Sequence, residues 1–190
     1  SSAASDVYKR QAKGLTELMG GSIAAKSGRE KGTVFRVELA FDRMEEKEKT
    51  EAESEALAGK RLLLAEDDRL CGEILCELLE DETGRPVSIT ANGRAALEMF
   101  ESANGEYDAI IMDVQMPVMN GYEAARAIRR SGCGNAKTVP IIALTADASE
   151  ESARAAADSG MNGCLAKPVN IDRLRKAVAA ALKSLSVAYR

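Results

Sequence analysis

Arg61-Leu62-Leu63-Leu64-Ala65-Glu66-Asp67-Asp68 is a short, unbroken apolar run that ends abruptly in carboxylates. Runs of this kind, without polar alternation, are what strands buried on both faces of a parallel sheet look like. Three further stretches repeat the arrangement. Ala109-Ile110-Ile111-Met112 stops at Asp113, Pro140-Ile141-Ile142-Ala143-Leu144 stops at Thr145, and Cys164-Leu165-Ala166 stops at Lys167 with Pro168 behind it. In an open α/β sheet the functional crevice lies beyond the carboxyl ends of the strands. Three carboxylates, one hydroxyl and one ammonium are thereby expected to converge, a set suited to a divalent cation and a phosphoryl group.

Between these runs the periodicity turns helical. After Asp68, the residues Leu70, Ile74, Leu75, Leu78 and Leu79 form one apolar stripe. Residues 85–90 read as an edge-side strand, and Asn92-Gly93 opens a helix with Ala96, Leu97 and Phe100 inward. Asn120, Ser149 and Asn170 are placed to cap three more helices. The helix capped by Asn170 turns Ile171, Leu174, Val178, Leu182 and Leu185 inward, and that capped by Asn120 turns Tyr122, Ala125 and Ile128 inward. Strict alternation of five strands and five helices predicts a doubly wound parallel α/β sheet with right-handed crossovers.

Composition narrows the function. Of 190 residues, 45% are hydrophobic and 29% charged, enough for a globular core. The net charge of −4 shows no basic surplus, so nucleic acid is not an expected partner. No apolar run approaches the roughly 18 residues that a membrane span requires, and no secretory signal opens the chain. A cytoplasmic setting with reduced thiols is expected, because Cys71, Cys76, Cys133 and Cys164 form no CxxC pair. Histidine is absent, which removes any mechanism using an imidazole of this chain.

At these residues the chain resembles a known family. The strings LLLAEDD, IIMDVQMPVMNGYEA, IIALTAD and GMNGCLAKPV, in that order, are similar to the receiver domain of two-component response regulators, over residues 61–186. The resemblance implies a flavodoxin-like sheet of strand order 2-1-3-4-5. It implies that Asp113 is the phosphoacceptor, that Glu66 and Asp67 hold Mg²⁺ together with Asp113 and the backbone carbonyl of Gln115, that Thr145 is the switch hydroxyl, and that Lys167 contacts the phosphoryl group. It also implies a cis Lys167–Pro168 peptide. Chemically, an aspartyl phosphate is a known product of a carboxylate nucleophile. A hard cation relieves the repulsion among carboxylates and phosphate, and an ammonium offsets charge on the equatorial oxygens. One position departs from the family: Cys164 stands three residues before the lysine, where an aromatic is usual.

Ahead of Arg61 the organisation changes. Residues 42–60 are acidic and Lys-rich with almost no large apolar side chains, and are expected to be a linker. Residues 12–41 contain a helical stretch at Leu15–Met19, two strand-like runs at 22–25 and 33–41, and a turn at 27–32. They resemble the last helix and closing hairpin of a histidine-kinase ATP-binding domain, without the glycine-rich ATP lid, the metal-chelating Asn motif or the phosphorylatable His. This chain alone is therefore expected to bind no ATP and not to be a kinase. Within residues 1–11, DVYKRQ is the translation of a transposon end used in sequencing libraries, so this segment is expected to be an assembly artefact.

These readings point to the C-terminal part of a hybrid sensor histidine kinase. Its receiver takes a phosphoryl group from a histidine kinase domain and passes it to a histidine phosphotransfer protein. A stand-alone response regulator, a catalytic kinase or ATPase, and a Mg²⁺-dependent hydrolase on a similar fold are the alternatives.

Overall fold

The computed structural model describes residues 13, 16, 21–28, 32–38, 55–147 and 149–188. The chain divides into two compact units, Ser1–Lys47 and Glu48–Arg190. The expectations for residues 1–11, for residues 39–54, for most of the Leu15–Met19 stretch and for the side chain of Leu185 lie outside the described residues.

In the first unit, β1 (Ser22–Gly28) pairs antiparallel with β2 (Gly32–Glu38), in a register that sets Ile23 opposite Val37 and Ala25 opposite Phe35. The strands run closer to the turn than the sequence implied, taking in Ser27, Gly28 and Gly32. Val34, Phe35 and Val37 are all at least half exposed. Two strands with apolar residues left in solvent fall short of the three or more that give a sheet independent stability.

The second unit is the doubly wound sheet. In chain order its elements are β3 (Leu62–Ala65), α1 (Arg69–Thr83), β4 (Ser88–Thr90), α2 (Gly93–Ser102), β5 (Ala109–Asp113), α3 (Gly121–Arg130), β6 (Ile141–Thr145), α4 (Glu150–Asp158), β7 (Gly163–Ala166) and α5 (Ile171–Ala188). The sheet order is β4-β3-β5-β6-β7 and every pairing is parallel, which is the 2-1-3-4-5 order. Side chains alternate faces along a strand, and here both faces are covered. Leu63, Ala65, Ile110 and Met112 pack with Ala96, Phe100, Ala125 and Ile128 from α2 and α3. Leu62, Leu64, Ala109 and Ile111 pack with Leu75 and Leu79 of α1 and Leu174 and Val178 of α5. Two-sided burial is why the strands carry no polar alternation.

Each helix starts where a side chain takes up an otherwise unbonded N–H of its first turn. Asp68 accepts from Cys71 N (2.8 Å), Asn92 from Ala95 N (2.9 Å), Ser149 from Ser152 N (3.3 Å) and Asn170 from Arg173 N (3.0 Å). Asn120 and Glu123 exchange bonds as a capping box.

Two expectations are corrected. The α1 stripe is not a single buried face. Leu75 and Leu79 are buried, whereas Leu70, Ile74 and Leu78 are 67%, 50% and 37% exposed. The expected linker also ends before Lys60. Residues 55–57 form a helical turn, and Leu57 is fully buried in the cluster of α1 and α5. Gly59 N donates to Thr83 O (2.7 Å) and Lys60 Nζ pairs with Asp108 (2.9 Å). One leucine among many charges is a weak signal, and composition over a window averages it away. Truncating Leu57 to Ala is expected to destabilise the domain by about 2–4 kcal/mol in denaturant unfolding, as for other buried leucines; a residue of a free linker would leave the midpoint unmoved.

Candidate phosphoacceptor site

The site is built at the carboxyl edge of the sheet. Asp113 is the last residue of β5, and Glu66 and Asp67 follow β3 directly. The pairing of β3 with β5 (Ala65 opposite Met112) brings the two strand ends level. One carboxylate oxygen from each of Glu66, Asp67 and Asp113 lies within 4.8 Å of the others. Glu66 and Asp113 are buried and Asp67 is exposed. The loop after Asp113 folds back tightly. Gly121 N donates to Val114 O (3.0 Å), and a Cβ at Gly121 would run into the carbonyl of Asp113, so only glycine fits there.

Lys167 faces this cluster from the end of β7. Its Nζ donates to Asp113 Oδ2 (2.7 Å) and to Glu66 Oε1 (2.8 Å), and lies 2.7 Å from Glu66 Oε2. Asp113 Oδ1 accepts from Gln115 N (3.1 Å). Burial alone would depress the Lys167 ammonium, but the hydrogen bonds and charges of Asp113 and Glu66 outweigh it and hold its pKa above the usual lysine value. Burial pushes the Glu66 carboxyl above the usual carboxylate range, against the hydrogen bond from Lys167, and the charge of Asp113 pushes the same way.

One ammonium does not neutralise three carboxylates. At an effective dielectric constant of about 20, two like charges about 4.8 Å apart repel by roughly 3.5 kcal/mol. Glu66 Oε2 is moreover buried, and its partner is the same ammonium, at 2.7 Å. A crowded set of hard oxygen donors that shares one ammonium fits a small divalent cation. The chemistry of this donor set is therefore that of a metal-binding acidic cluster.

Thr145 ends β6, next to β7, and is buried. Its hydroxyl donates to Asp147 O (3.1 Å) and accepts from Asp147 N (3.3 Å), while its carbonyl accepts from Lys167 N (2.7 Å). The hydroxyl is thus engaged with its own loop, and the backbone of the threonine is tied to that of the lysine. The Lys167–Pro168 peptide is cis. Cys164 is half-buried on β7 beside Tyr122, whose hydroxyl donates to Ser152 O (3.5 Å). The structure therefore brings Glu66, Asp67, Asp113 and Lys167 together and sets Thr145 on the adjoining strand end. Sequence reasoning missed the Glu66–Lys167 contact. No pattern could have shown it, because the two residues are 101 positions apart.

Residues 62–179, more than half of the chain, match the family described as the response regulator receiver domain, and the chain belongs to that family. It is similar to the virulence sensor protein BvgS of Bordetella bronchiseptica, with 32% identity over 174 residues, covering 85% of this chain and 14% of that protein. The sensory/regulatory protein RpfC of Xanthomonas campestris is 30% identical over 186 residues, covering 83% of this chain and 25% of RpfC. The chain thus spans a small part of these relatives. Among solved structures, the receiver domain of sensor histidine kinase PA1611 from Pseudomonas aeruginosa, with a magnesium ion coordinated in its active-site cleft, is 36% identical. It superposes with a TM-score of 0.57 over 66% of this chain and 99% of that one. Chemotaxis protein CheY4 of Vibrio cholerae is 33% identical with a TM-score of 0.59, over 65% and 99%. Among the described residues no helix is long and apolar enough to cross a membrane.

The electrostatics of the cup are testable without phosphorylation. The Lys167 contribution is expected to persist through neutral pH and to be lost only as pH rises through its raised value. Lys167→Ala should destabilise the metal-free chain by about 2 kcal/mol at pH 7, a figure below that for fully buried pairs because the lysine is partly solvated. The loss should shrink as pH falls below 7, because burial and the charge of Asp113 raise the Glu66 carboxyl and let it take up a proton instead of standing charged and unpaired. Urea unfolding of both proteins across a falling pH series measures this.

Proposed function

We propose that Asp113 accepts a phosphoryl group from a phosphohistidine, and that this chain is the C-terminal part of a hybrid sensor histidine kinase. The observation that carries the reading is the placement of Asp113, a buried carboxylate whose Oδ2 is held by Lys167 at the mouth of an acidic cluster. In the transfer, a carboxylate oxygen of Asp113 forms the new O–P bond as the N–P bond to the donor imidazole breaks. Lys167, already ammonium and already on Asp113, meets the negative oxygens of the transferred group. Thr145 gives up its bond to the Asp147 carbonyl and donates to a phosphoryl oxygen, which pulls on the loop following β6. Glu66, Asp67, Asp113 and the carbonyl of Gln115 would hold Mg²⁺, which supplies charge neutralisation for the phosphoryl oxygens.

The same geometry supports a protein partner. A protein that brings a phosphohistidine to Asp113 must cover the rim of the cup, where α1 leaves Leu70 and Ile74 exposed one turn apart. The donor is a histidine kinase domain and the acceptor a histidine phosphotransfer protein, in the cytoplasm. The kinase origin is supported ahead of the sheet. Residues 62–190 are 129 of 190, whereas the similarity to BvgS covers 85% of the chain, so it extends into the segment before β3. The solvent-exposed two-stranded hairpin suits a piece of a larger ATP-domain sheet.

With Mg²⁺ and acetyl phosphate the chain should gain an acid-stable, base-labile label. Asp113→Asn should abolish it, removal of the metal with EDTA should suppress it, and labelled ATP alone should give none. Undiminished labelling of Asp113→Asn would place the acceptor elsewhere.

A further inference from the structure

Val118 lies in the loop between Asp113 and α3, with a φ of +70°, and is 83% exposed. Met119 N donates to Pro117 O (2.8 Å), which closes a three-residue turn centred on Val118. A γ-turn with positive φ is the rare and strained sense, and a β-branched residue is the least suited to it. The loop bears the strain because both ends are fixed. Met116 is buried, Met119 O accepts from Gly93 N (3.1 Å) at the start of α2, and Gly121 N closes the loop onto Val114 O (3.0 Å).

Those anchors explain how the turn persists, but not why a valine occupies it. Glycine would adopt the same backbone without strain. The side chain of Val118 gains little from this domain's own packing, since most of its surface stands in solvent. Strain retained around an apolar side chain that stands in solvent is the kind of outlier that points to a functional contact.

We propose that Val118 is a specificity-determining contact for the protein that exchanges phosphoryl groups with Asp113. Its occupant is the histidine-bearing helical segment of that phosphotransfer partner. The inference rests on the reading of Asp113 as phosphoacceptor. A small donor diffuses into the cup without touching its lip, whereas a protein side chain reaching Asp113 brings its own surface down on the loop that leaves Asp113. Val118, five residues after Asp113, is the most exposed large apolar residue described in unit two, and Leu70 of α1, at 67%, is the next.

The test compares the unaltered chain with Val118→Gly, Val118→Asn and Val118→Ile. Acetyl phosphate labelling is measured first, and all four proteins should label alike with Mg²⁺. Failure of the unaltered chain to label would sink the phosphoacceptor reading itself, and this proposal with it. Transfer is then measured from a histidine phosphotransfer domain charged with phosphoramidate, taken from a panel for its fastest transfer to the unaltered chain. Val118→Gly and Val118→Asn should slow transfer roughly tenfold, the scale of one lost interface anchor, and Val118→Ile should restore it. The glycine variant should melt no lower than the unaltered chain, which separates a lost contact from a damaged fold. Equal transfer by all four proteins overturns the proposal, as does the absence of transfer from every domain of the panel.

Discussion

Everything in this domain is arranged around a single ammonium standing against a crowd of carboxylates. Lys167 touches Glu66 and Asp113 at 2.7–2.8 Å, and without it two buried negative charges would face each other with no cation between them. Burying a charge is tolerable only when it is paired. The sheet solves this by topology. β3, β5 and β7 all point their carboxyl ends the same way, so residues 54 and 101 positions apart meet at one edge. A parallel sheet with helices on both faces is what permits that convergence, since every strand must be followed by a crossover that returns the chain to the other end.

The lysine also leaves the cluster under-neutralised, with surplus negative charge at the sheet edge. The surplus negative charge and the exposed Asp67 suit a cation. Thr145 shares a backbone hydrogen bond with Lys167 while its hydroxyl rests on Asp147. A hydroxyl so engaged has a local bond to exchange for a new one, and on the proposed function that exchange would link Asp113 to the loop after β6.

Much of this was legible in the chain. Leu62–Ala65, Ala109–Met112 and Ile141–Leu144 are unbroken apolar runs because both sheet faces are buried, and that pattern is local. The caps at Asn92, Asn120, Ser149 and Asn170 are local as well, each satisfied within three residues. What could not be read is what depends on distant partners. Leu70, Ile74 and Leu78 share a helix face with Leu75 by periodicity, yet the placement of β3, β4 and α5 decides which of them is covered. Leu57 disappears into a charged segment because one buried side chain does not shift a window average. Val118 is an ordinary residue type, and its backbone sign is set by the closure of the loop at Gly121. The Glu66–Lys167 contact is a product of the whole fold.

The central claim is that the strand ends converge to make Asp113, and no other carboxylate of the cup, the acceptor. Borohydride reduction of the acetyl-phosphate-treated chain, followed by peptide mass mapping, tests it most directly, because hydride converts an acyl phosphate to a primary alcohol at the residue that carried it. Homoserine at position 113 and unmodified side chains at positions 66, 67 and 108 are the expected result. Homoserine at position 67, or an intact Asp113 in a chain that carries the label, would contradict it.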